Sequence, residues 1–66
     1  MRVLLKEFRL RRGWTQKELS EKSGVPQPMI SEIESEVSRY PQINTLYKLS
    51  QALKCTVDDL IDDETA

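Results

Sequence analysis

The sequence predicts a compact all-α domain of five short helices, and three features of its 66 residues lead to that expectation. Apolar residues recur at spacings of three and four, the period of an amphipathic helix. Two capping boxes, Thr15 to Glu18 and Thr56 to Asp59, are typical of helix starts. No stretch alternates with a period of two, so we expect no strands.

The first two helices are bounded by glycine. Leu5 and Phe8 lie on the inner stripe of the first helix, and Gly13 ends it in the left-handed conformation. The second helix follows the Thr15 cap and runs to about residue 23, with Leu19 facing inward. Gly24 closes it, so a tight turn leads into the third helix.

The third helix is predicted from its prolines. Because the residue before a proline avoids the α region, we expect Gln27 to be extended. Pro28 then takes the first helical position, where its missing N–H costs nothing. Ile30 and Ile33 point inward, and the helix runs to about Ser35. The opposite face carries small or polar residues: Pro28, Ser31, Glu32 and Ser35.

The fourth helix follows Pro41 and runs to about Lys54. Glycine or asparagine is frequent at such a helix-ending site, and a left-handed lysine there would cost some strain. The predicted core stripe of this helix is Ile43, Leu46, Leu49 and Leu53. The fifth helix opens at Thr56 and brings in Leu60 and Ile61. We therefore assign residues 1–61 to one domain and residues 62–66 to a flexible acidic tail.

Composition excludes most catalytic chemistry. The chain has no histidine and one cysteine, Cys55, which rules out a disulfide framework, the usual structural zinc sites and a Cys/His dyad. We expect no metal, no cofactor and no enzyme activity, and we expect Cys55 to be a small buried apolar residue. With no long apolar run and no signal peptide, the sequence predicts a cytoplasmic protein without a membrane segment.

The charge is unevenly distributed. The net charge is −1, but residues 1–22 carry seven basic side chains against three acidic ones, and residues 23–66 carry three basic against eight acidic. Such asymmetry is typical of a face for a polyanion, and it can equally be a simple dipole.

The segment from Trp14 to Glu34 is the most specific part of the sequence, and it reads WTQKELSEKSGVPQPMISEIE. Two short helices joined by a tight turn with a glycine form a helix-turn-helix candidate. The segment resembles the helix-turn-helix of the phage repressor and Cro-type (XRE-like) DNA-binding family, and the similarity continues to Ile61. The resemblance implies a five-helix, lambda-repressor-like domain. It also implies a homodimer on a palindromic operator in double-stranded DNA, with the third helix in the major groove.

The resemblance also implies which residues meet DNA bases: Gln27, Pro28, Ser31 and Glu32. Gln27 is the best candidate because glutamine can bond adenine in a bidentate way. Glu32 could accept from a cytosine amino group. The alternatives stay open, since Gln27 could be only a turn residue and Glu32 only a solvated carboxylate.

Other positions match phosphate-contacting residues of the family: Thr15, Gln16, Lys17, Ser35, Ser38 and Arg39. Gln16 occupies the family's phosphate-contacting glutamine position, and it could also be an ordinary surface residue. Arg9 and Glu34 match an internal ion pair of the family, although each could be solvated. Leu60 and Ile61 are our candidates for a dimer contact.

The sequence departs from the family in its third helix, which has no lysine or arginine, and at Glu36-Val37, where the family commonly has Gly-Lys. Fewer cations therefore lie near the groove. This favours a second hypothesis, a helical protein-interaction module such as an antitoxin-like partner or an adaptor.

Overall fold

The computed structural model describes residues 2–36 and 41–62. Its elements are five α-helices and two short strands: β1 Arg2–Val3, α1 Leu5–Arg11, α2 Gln16–Ser23, α3 Gln27–Glu34, α4 Ile43–Ala52, α5 Val57–Leu60 and β2 Ile61–Asp62. The prediction of five helices in this order is confirmed. The expectation of no strands is wrong.

The two strands form an antiparallel ribbon that joins the two ends of the described chain. Arg2 lies opposite Asp62, and Val3 lies opposite Ile61. The Leu4 amide extends the pairing by donating to the Leu60 carbonyl at 2.7 Å. Asp62 therefore belongs to the fold and not to a tail, while residues 63–66 of the predicted tail lie outside the described residues. Strands of two residues are too short for the period-two pattern that predicts a strand.

The core draws on all five helices. Its buried cluster consists of Leu5, Leu19, Val25, Ile30, Ile33, Leu49, Leu53 and Leu60, with Phe8 and Trp14 packed against it. Leu46 is also buried, but Ile43 is 65% exposed, so its assignment to the core is wrong. At 3.6 residues per turn, Ile43 lies roughly 100° around the helix from the centre of the Leu49 and Leu53 face.

The start of α3 differs from the sequence prediction. Pro26, with φ −56° and ψ 139°, is the extended residue before the helix, and Gln27 is already its first residue. The Pro26 carbonyl accepts from the amides of Met29 and Ile30, at 3.0 and 3.2 Å. These bonds start the helix at Gln27 in spite of the preference imposed by Pro28, which takes the second position.

Both predicted capping boxes are present. Thr15 Oγ1 accepts from the Glu18 amide at 3.1 Å, and the Glu18 carboxylate accepts from the Thr15 amide at 3.0 Å. The bond that the Glu18 carboxylate accepts from the Thr15 amide lowers the pKa of Glu18, and the Thr15 side chain adds to the shift although burial opposes it. Thr56 and Asp59 form the same pair of bonds at the start of α5.

Candidate nucleic-acid interface

The turn between α2 and α3 is held by serine hydroxyls. Ser20 Oγ donates to the Val25 carbonyl at 2.6 Å, and Ser23 Oγ accepts from the Val25 amide at 3.1 Å. The Val25 side chain is buried. Gly24 has a φ of 78°, a conformation that side chains rarely adopt, and its left-handed turn separates the two helices.

The outer face of α3 carries the predicted base-contacting residues. Gln27, Pro28, Ser31 and Glu32 are all exposed, whereas Ile30 and Ile33 on the opposite side are buried. Ser35 caps the end of the helix, and its hydroxyl donates to the Glu32 carbonyl at 3.3 Å. The four side chains therefore share one free surface that contains an amide, a hydroxyl, a carboxylate and an apolar ring.

The start of α2 carries three of the predicted phosphate-contacting residues: Thr15, Gln16 and Lys17. The amides of a helix's first turn have no partner within the helix, and they attract anions. The Glu18 amide is already capped by Thr15. Lys17 is exposed, and Gln16 is half-buried.

Arg9 and Glu34 form the predicted ion pair. Arg9 Nε and Nη2 donate to the two Glu34 carboxylate oxygens at 2.7 and 2.9 Å, and Arg9 Nη1 donates to the Trp14 carbonyl at 2.7 Å. The side chains of Arg9 and Glu34 are only 9% and 5% exposed. The pair ties α1 and the α1–α2 turn to the end of α3.

This pairing sets the charge states of both residues. Hydrogen bonding of Arg9 to the Glu34 carboxylate raises the pKa of Arg9, although burial opposes the shift. Burial acts to raise the pKa of Glu34, but hydrogen bonds from Arg9 and Gln16 and nearby positive charge outweigh it, so this pKa is lowered. Both groups are therefore charged near neutral pH.

Sequence reasoning missed one contact of this cluster. Gln16 Nε2 donates to Glu34 Oε1 at 3.0 Å. A predicted phosphate-contacting residue is thus bonded to the ion pair. Gln16 and Glu34 are 18 residues apart, and no local spacing marks such a contact.

Comparison with known proteins decides the family. A helix-turn-helix family model, of the XRE or Cro/C1 type, matches residues 5–60, which is most of the chain. The chain belongs to this helix-turn-helix family. It is 35% identical over 60 residues to the HTH-type transcriptional regulator SinR of Bacillus subtilis, a match covering 91% of the chain and 54% of SinR. It is 36% identical over 67 residues to an uncharacterized HTH-type transcriptional regulator of Archaeoglobus fulgidus, covering 97% and 93%.

Solved structures of this helix-turn-helix family share the fold. A crystal structure of SinR, the master regulator for biofilm formation, in complex with DNA superposes with a TM-score of 0.84 at 36% identity, covering 88% of the chain and 92% of that chain. A SinR–SinI complex gives 0.85 at 34% identity, covering 92% and 59%. The chain spans about half the length of the SinR relative that it matches.

The remaining helix-turn-helix predictions have mixed outcomes. Leu60 is 0% exposed in the core, so it offers no surface and its assignment to a dimer contact is wrong. Ile61 is half-buried in β2. Ser38 and Arg39 lie outside the described residues.

The side chains of Cys55 and Lys22 could have other chemistry, but each packs against another part of the domain. Cys55 is half-buried against the core, where burial and the Asp59 charge raise its pKa although Arg12 opposes the shift. Lys22 Nζ lies 4.9 Å from the centre of the Trp14 ring.

Within residues 2–36 and 41–62, no group of acidic, cysteine or histidine side chains is placed to hold a metal ion. No helix in this part of the chain is long and apolar enough to cross a bilayer.

Proposed function

We propose that this protein is a sequence-specific DNA-binding transcriptional regulator that places α3 in the major groove. The observation that carries the proposal is the exposed face of α3 that is formed by Gln27, Pro28, Ser31 and Glu32. It is supported by the likeness of the whole fold to SinR in complex with DNA. We propose no enzyme activity, because the relatives are named as transcriptional regulators.

In this proposal, α2 anchors the domain on the DNA backbone. The backbone amides of Gln16 and Lys17, the Gln16 side chain and the exposed Lys17 ammonium face one phosphate region, with Thr15 at its edge. Ser35 adds a hydroxyl at the far end of α3, and Ser38 and Arg39 extend the same role along the chain. These contacts position the protein without reading sequence.

Base selection then rests with α3. The Gln27 amide can donate and accept together, which matches adenine N6 and N7. Ser31 adds a hydroxyl, Pro28 can touch a thymine methyl, and Glu32 can accept from a cytosine amino group. Because α3 has no cation, its contribution is selectivity more than affinity.

We propose that the active form is a repressor-like homodimer. The scarcity of cations near α3 favours it, since two subunits double the number of phosphate contacts. The two half-sites of a palindromic operator would lie about 34 Å apart, one turn of the duplex. Ile61 remains a candidate for the contact. Since a DNA regulator works where the DNA is, we also propose the cytoplasmic location.

Selection from random DNA duplexes tests the function. We expect an enriched palindrome, bound with a log–log salt slope of about −0.9 per phosphate neutralised. Gln27→Ala should reduce discrimination at one base pair by about 1–3 kcal/mol. Gln51→Ala is the matched control, because Gln51 lies on the exposed side of α4, where it donates to the Tyr47 hydroxyl. A pool that shows no enrichment would refute the proposal.

A protein-interaction module is the second candidate. SinR is also known in complex with the SinI protein, and Ile43 and Tyr47 here leave apolar surface exposed on α4. Binding to a protein partner through this apolar surface would depend weakly on salt, whereas DNA binding would weaken steeply as salt rises. The salt titration therefore separates the two candidates.

A further inference from the structure

The helices α2 and α3 are joined at both ends. At one end is the covalent turn through Gly24, and at the other Gln16, the first residue of α2, bonds Glu34, the last residue of α3. Without the second link, the pair would be connected only at the turn, where Ser20 and Ser23 bond Val25, and through apolar packing. Apolar packing is not directional, whereas a hydrogen bond depends on distance and angle.

The direction of this bond is fixed by chemistry. An ionised carboxylate only accepts hydrogen bonds, so Gln16 must turn its Nε2 toward Glu34. Glu34 is itself held by two donors of Arg9, and its side chain is almost fully buried. The acceptor that Gln16 meets is therefore fixed in position as well as in charge.

We propose that the Gln16–Glu34 bond positions the reading helix relative to the backbone anchor, making Glu34 a positioning residue for base selection. The inference rests on the proposed DNA-binding function. Phosphate contacts fix the placement of a protein on the duplex, and base contacts read the sequence. Both must be made at once on a stiff duplex, so the angle between α2 and α3 decides whether Gln27 meets its base edge.

The experiment compares binding of the full chain to its selected duplex and to a scrambled one. If Gln16 were a phosphate contact alone, Gln16→Met would weaken both by the same factor. We expect instead that the ratio of the two affinities falls roughly three- to tenfold, the equivalent of one ordinary hydrogen bond. An equal loss on both duplexes overturns the inference.

Glu34→Gln provides the second arm. In the wild type, Glu34 Oε1 accepts from both Arg9 and Gln16, and the oxygen of the new amide carries no charge, so the bond from Gln16 is weakened. The ratio should fall in the same direction as in Gln16→Met, and adding Glu34→Gln to Gln16→Met should lower it no further. If the double variant lowered the affinity ratio by the product of the two single effects, Gln16 and Glu34 would act independently, which would contradict the inference. If Glu34→Gln does not fold, the Gln16→Met ratio still decides.

Two controls separate this inference from the proposed function. Gln51→Met removes another glutamine donor bond, the one to Tyr47, and should leave the ratio unchanged. Gln27→Ala must lower the ratio if α3 reads bases at all. A protein that discriminates through Gln27 but not through Gln16 refutes only the positioning role. A protein that binds no duplex refutes the proposed function itself.

Discussion

Glu34 is a nearly buried charge whose partners are all contributed by other elements. A buried pair adds little net stability over an apolar pair, but removing one partner strands the other, at a cost of about 3–5 kcal/mol. Removing either Arg9 or Glu34 alone should therefore cost more stability than the intact pair contributes.

The lowered pKa of Glu34 makes stability depend on acid. Because the folded pKa lies below the unfolded value, the contribution is complete above the unfolded value of about 4.3 and is lost as pH falls through the folded pKa. Urea unfolding from pH 7 to pH 2 gives the free energy of unfolding of the wild type and of Glu34→Gln. The difference between the two should become smaller below about pH 4. A difference of constant size would contradict the assignment.

Lys54 has a φ of 55°, as its helix-ending position predicts, and it stores backbone strain. Lys54→Gly should stabilise the domain by roughly 0.5–1 kcal/mol, since glycine adopts this conformation without a clash. Lys48→Gly, within α4, is the matched control and should destabilise by about 1 kcal/mol. Thermal unfolding measures both, and two changes of the same sign would count against strain at Lys54.

At the scale of elements, α5 has only four residues and depends on its cap. Thr56→Ala removes the hydroxyl that accepts from the Asp59 amide, and we expect a loss of about 1 kcal/mol in urea unfolding. Thr45→Ala, within α4, is the control, because alanine suits a helix interior and the Thr45 hydroxyl has only a weak contact to Met29 sulfur. Equal losses would mean that the cap is unimportant.

The helices could be predicted because their signals are local. Thr15 with Glu18, and Thr56 with Asp59, act within four residues, and Gly24 ends a helix by its own conformation. The ribbon could not be predicted, since its pairing joins opposite ends of the chain. Glu36 has a φ of 65°, and this left-handed backbone was not predicted, because glutamate itself gives no sign of it and only the family's glycine at this position does.

The candidate site was predictable to a similar degree. Helical periodicity places Pro28, Ser31 and Glu32 on one face of α3, and they are exposed. Gln27 came from the family resemblance alone, since the sequence predicted it to be extended before the helix. The bond from Gln16 to Glu34 depends on how two helices pack in three dimensions, and the sequence carries no pattern for it.

At the scale of the whole molecule, stability depends on one small core. Leu49 is fully buried, so Leu49→Ala should cost about 2–5 kcal/mol, a large share of the stability of a domain this size. Ile43→Ala, on the same helix but mostly exposed, should change stability by less than about 0.5 kcal/mol. Calorimetry measures the loss of stability in both variants. A large loss in Ile43→Ala would indicate that a partner covers this side chain.

The ribbon of β1 and β2 has a topological consequence. Paired residues in antiparallel strands lie about 4.5–5.5 Å apart, so positions 2 and 62 are close enough to be joined by a short linker. A circularly permuted chain, reopened at the exposed Gly13, would begin just before α2 and keep α2 and α3 contiguous. The order in which the chain is synthesised could then be changed while the surface proposed to meet DNA stays intact.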